Sequence, residues 1–164
     1  MSYREAFLFG WSIAWRQFLW SLGIGIPLLL LVAVIVNHTT PNTDVRSFAF
    51  ALAFYPPFVL LMVLLIFPKA IRAAVSKSFG TFHVQVAKRG CIETLSYADS
   101  LQISVLAVIV SLVLGALYSL MQFPSVQLGL LVEVPLLLFV MYPAIAEVAV
   151  NVRFRGFRLV VSRG

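Results

Sequence analysis

Four apolar runs divide the chain, with polar, turn-rich or basic stretches between them. They extend from about Phe18 to Val36, Phe48 to Phe67, Leu101 to Met121 and Val126 to Val150. A helix rising 1.5 Å per residue crosses about 30 Å of hydrocarbon in about 20 residues, so each run predicts a transmembrane helix. Ahead of the first run, Tyr3, Phe7, Trp11, Trp15 and Phe18 recur every three or four residues beside Arg4, Glu5, Arg16 and Gln17. That stripe predicts an interfacial helix leading into the first span. Pro27 lies within the first run, and Tyr55-Pro56-Pro57 is expected to interrupt the second. Residues 37–47 and 122–125 read as polar turns, and residues 68–100 as the longest segment outside the spans.

One stretch resembles another in the same chain. Pro68 to Val86 and Pro143 to Val161 align without gaps, matching Ala74 with Ala149, Val75 with Val150, Phe79 with Phe154 and Phe82 with Phe157. Phe67 and Tyr142 precede the two prolines, and Lys88 and Arg163 close the two stretches. Ser2-Tyr3-Arg4-Glu5 and Ser96-Tyr97-Ala98-Asp99 mark the starts of two units, 1–95 and 96–164. Units of two spans each enter the membrane in the same sense, which implies an axis along the membrane normal. The expected fold is an all-α integral membrane protein: four transmembrane helices in two tandem hairpins, with amphipathic N-terminal, middle-loop and C-terminal segments. Val75, Phe79, Phe82 and Val86 keep helical spacing and favour helix for the two matched extensions. The rival reading is one short strand from each unit, paired across the axis, because Phe82-His83-Val84-Gln85-Val86 alternates.

Composition agrees with the membrane class. Charged residues make up 11% of the chain, against about 25% in soluble domains. The net charge of +6 would suggest nucleic acid by itself, but its placement argues for topology instead. Of the 12 Lys and Arg residues, only Arg46 lies outside the N-terminal segment, the middle segment and the tail. The positive-inside rule then places both termini and the middle segment in the cytoplasm, in a plasma (inner) membrane. Cys91 is the one cysteine and can form neither an intrachain disulfide nor a thiolate metal cluster. No cofactor is expected, because His38 and His83 both lie outside the spans and no catalytic or nucleotide-binding motif occurs.

Candidate functional residues lie in and beside the spans. Glu133 and Glu147 fall fourteen residues apart in the fourth run, so a regular helix puts them on one face, continued by Asn151 and Arg155. The bland reading turns that face to partner helices and pairs Glu147 with Arg72, its counterpart in the first unit. Ser111, Gly115 and Ser119 form a small-residue stripe on the third span, with shorter ones at Ser21/Gly25 and Ala49/Ala53. The sequence thus predicts a non-catalytic subunit of a larger membrane assembly. Its expected partners are lipid, other transmembrane subunits or copies of itself, with a cytosolic subunit or anionic lipid at the basic segments. The alternative is a small oligomeric transporter or channel with a polar lane along the fourth span.

Overall fold

The computed structural model describes residues 1–39, 43–75, 77–88, 91–119, 129, 132–133 and 135–163. Helix α1, Tyr3–Thr39, takes in both the predicted interfacial segment and the first span without a break at Pro27. Its 37 residues reach about 55 Å, so it is longer than the hydrocarbon core is thick. Helix α2 (Thr43–Leu61) passes through Pro56-Pro57 and continues by a π turn, Met62–Ile66, into α3 (Phe67–Val75). Strands β1 (Phe82–Lys88) and β2 (Cys91–Glu93) lead to α4 (Tyr97–Ser119). A second π turn, Leu137–Met141, enters α5 (Tyr142–Asn151), followed by β3 (Arg153–Phe154) and β4 (Phe157–Arg163). Among the described residues, three helical stretches, Tyr3–Thr39, Val45–Val75 and Tyr97–Ser119, are long and apolar enough to cross a membrane. The turn expected at 122–125 and much of the first half of the fourth run lie outside the described residues.

The all-α expectation is overturned. The two matched extensions are strands of one antiparallel sheet, ordered β2-β1-β4-β3. The 4-3-4 spacing that looked helical arises differently. Val75 and Val150 fall in or at the ends of helices, while Phe79/Phe82 and Phe154/Phe157 flank tight turns. Those rings stack at 4.9 and 4.7 Å. Beyond the turn, Phe82, Val84 and Val86 alternate inward, as do Phe157 and Leu159. Each turn uses a glycine at positive φ, Gly80 at 79° and Gly156 at 92°, a conformation other residues rarely take. The glycine is the first central residue of one turn and the second of the other.

The core lies between this sheet and the helix segments beside it. Phe9 and Ile13 of α1, Ile71 of α3, Ile103 of α4 and Ile145 of α5 close on Phe82, Val84, Phe157 and Leu159. Farther along the helices the apolar side chains face outward. Leu30, Leu31 and Val34 of α1, Phe48 and Leu52 of α2, and Ile109, Leu112 and Leu117 of α4 are all exposed. Water would make such a surface costly, while a lipid surround removes the cost.

Candidate functional site

The chemistry of this chain gathers where helix starts, π turns and strand ends meet. Pro68 has no N–H to give the carbonyl four residues before it, and its ring crowds that carbonyl. The residue in question is Leu64, inside the first π turn. Its carbonyl accepts a hydrogen bond from the Tyr97 hydroxyl. Pro143 stands in the same relation to Phe139, inside the second π turn, and the Phe139 carbonyl accepts from the Tyr3 hydroxyl at 2.8 Å. Each tyrosine belongs to a capping box. Glu5 N–H donates to Ser2 Oγ and Ser2 N–H to Glu5 Oε2, at 3.3 and 2.8 Å. Asp99 N–H donates to Ser96 Oγ and Ser96 N–H to Asp99 Oδ2, both at 3.2 Å.

Each capping acid also holds the cation at the end of a strand. Asp99 takes Lys88 Nζ of β1 at 2.5 Å. Glu5 takes Arg163 of β4 through two N–H groups, at 3.0 and 3.1 Å. Glu5 lies in the first turn of α1, ahead of the apolar run that begins at Phe18. The Arg163 hydrogen bond, then the Ser2 backbone N–H, lowers its pKa from 4.5 to about 2. Strands β1 and β4 pair so that Gln85 faces Val160, two residues separated by the same interval as Pro68 and Pro143. That interval also relates Leu64 to Phe139, Lys88 to Arg163 and one π turn to the other.

The sequence candidates are not brought together. Glu147 lies 3.9 Å from the Met1 ammonium and accepts from Asn151 Nδ2 at 2.9 Å, so its contacts are not with Arg72. Glu133 is exposed on a groove between α1 and the second π turn, about 570 Å³ in volume, with Gln17, Ser21 and Tyr142. The π turn between the two glutamates breaks the regular period on which their shared face depended. Arg155 falls in the β3–β4 turn, off the helix. Ser111 and Ser119 hydroxyls donate back to Ala107 and Ala116 carbonyls of α4 itself. A Cβ on Gly115 would meet no described atom within 4 Å.

Two glycines are packed against the chain itself. A Cβ on Gly10 would stand 2.7 Å from the Tyr142 carbonyl, and one on Gly25 would stand 2.9 Å from the Phe58 ring. Gly25 was legible from its small-residue spacing with Ser21, but Gly10 and the two tyrosines were not singled out for contacts. Their signals were a glycine inside an aromatic stripe and a Ser-Tyr pair placed identically before two acids. Cys91 is an exposed free thiol on β2. Searches of family models, curated proteins and solved structures find no match to this chain.

Proposed function

We propose that this chain is a non-catalytic integral membrane subunit of a larger complex. It has four spans in two tandem units, and both termini lie on the cytoplasmic side of a plasma (inner) membrane. The observation that carries the reading is the small-residue face of α4, on which Gly115 and Ser119 are exposed. This chain places Gly10 and Gly25 where neighbours approach closely, yet Gly115 meets no described neighbour. Without a hydrophobic drive between helices in lipid, such small faces let helix backbones approach and pack. A transmembrane helix of another subunit, or of a second copy, is the occupant this face suits.

The matching interval supports the two-unit reading. It relates π turns, aromatic–proline starts, hairpins, strand-end cations and the Gln85–Val160 pair at the centre of the sheet. The capping boxes add crossed contacts, since each unit's opening acid holds the other unit's closing cation. An axis passing between Gln85 and Val160, normal to the sheet, accounts for all of these pairs together.

A second reading, as a small oligomeric transporter, draws support from the groove bearing Glu133, Gln17, Ser21 and Tyr142. Extraction in mild detergent followed by mass spectrometry of the purified particle separates the two. Foreign subunits in fixed stoichiometry are expected from the subunit reading. A homogeneous oligomer of this chain alone, with Glu133→Gln abolishing flux, would replace it with the transporter.

A further inference from the structure

The interval that relates the two π turns also relates two hollows between a helix end and the sheet. Val75, Val84, Gln85 and Val86 line the first, and Val150, Leu159, Val160 and Val161 the second. Charge distinguishes them. At the position of Arg72 beside the first hollow, the second unit carries Glu147, which already faces the Met1 ammonium. The first hollow is open, with a volume of about 590 Å³, and Lys69, Arg72 and Trp20 are among its walls. Arg72 is exposed and has no ion pair among the described residues. Lys69 Nζ stands 4.9 Å over the Trp20 ring. Glu93, on the same wall, lies 3.9 Å from Lys88 Nζ.

The place of these cations along the helix identifies their ligand. Residues 47–68 contain no charge, so Lys69 and Arg72 are the first met as the helix leaves its apolar stretch. Trp20 beside them is the residue type that favours the headgroup level of a bilayer. An arginine fork and a lysine ammonium supply donors suited to a phosphate, and basic pockets beside membrane helices hold lipid headgroups in this way. We propose that this hollow binds the phosphate of one anionic glycerophospholipid. Arg72 grips the phosphate, Lys69 adds charge while resting on Trp20, and Val75 and Ile92 offer apolar contact. The proposal rests on the reading of the chain as an integral membrane protein.

Native mass spectrometry of the full chain, purified in detergent with equal phosphatidylglycerol and phosphatidylcholine, tests it. One phosphatidylglycerol per chain is expected to survive activation that strips phosphatidylcholine. Lys69→Gln/Arg72→Gln is expected to weaken that retention about tenfold or more. Arg153→Gln/Arg158→Gln, which removes the same charge elsewhere, should leave it unchanged. Lys69→Arg/Arg72→Lys should also keep it, separating loss of charge from loss of fold. Equal loss in both glutamine pairs, or retention in neither protein nor variants, would overturn the site. If millimolar inorganic phosphate displaces the adduct and stabilises the protein as well as the lipid does, the ligand is a soluble phosphate and the lipid is excluded. A chain released from membranes by carbonate without detergent would overturn the membrane reading itself.

Discussion

At the scale of single residues, the proline–tyrosine pairs carry the most specific account. A proline costs the carbonyl four residues earlier its helix partner, and a distant tyrosine hydroxyl answers that carbonyl in both places. Tyr97→Phe should therefore cost roughly 1 kcal/mol, the net worth of one hydrogen bond, and Tyr3→Phe a similar amount. Thermal unfolding in detergent measures both, and unchanged midpoints would reduce the bonds to incidental contacts. Glu5 gives a pH prediction. Its folded pKa is depressed, so its contribution is complete above 4.5 and disappears as pH falls towards about 2. The stability gap between the natural chain and Glu5→Gln should shrink across that window. A gap independent of pH would show that the Arg163 bond does not stabilise the fold.

At the scale of elements, much was legible and the exceptions have physical causes. The apolar runs gave the positions of the long helices because length and hydropathy are local properties. Helix α1 joins the aromatic stripe and the first apolar run without a break, a continuity that neither pattern specifies by itself. The strands were the rival reading and helix the favoured one, because a helix end, a two-residue turn and an alternating strand together imitate helical spacing at Val75, Phe79, Phe82 and Val86. Only pairing between distant segments decided between the readings, and pairing is not local. The interruption expected at Tyr55-Pro56-Pro57 does not occur. Pro56-Pro57 lies within a continuous helix, whereas Pro68 and Pro143 follow π turns. Glycine makes the same distinction testable. Gly10→Ala should destabilise by about 1–3 kcal/mol, because the backbone of Tyr142 cannot yield as a side chain would. Gly115→Leu should leave the chain's own stability intact and weaken assembly with its partner. Blue-native electrophoresis beside thermal unfolding reads both, and intact assembly in Gly115→Leu would assign that face to lipid.

At the scale of the whole molecule, the sheet and the crossed ion pairs join the two halves of the chain. Glu5 meets Arg163 near the far end of the sequence, and Lys88 of β1 meets Asp99 of α4. Glu5→Arg should loosen this junction, and adding Arg163→Glu should recover most of the loss. Failure of the double variant to recover would show that the two groups act independently. The proposed arrangement of two hairpin units meeting at one sheet also implies a topology. On that proposal the end of α1 and the end of β4 lie on opposite sides of the membrane. In a Cys91→Ser background, His38→Cys and Ser162→Cys can be labelled with an impermeant maleimide in intact and opened cells. The account predicts that His38→Cys reacts from outside and Ser162→Cys only after opening. Reaction of both from the same side would contradict it.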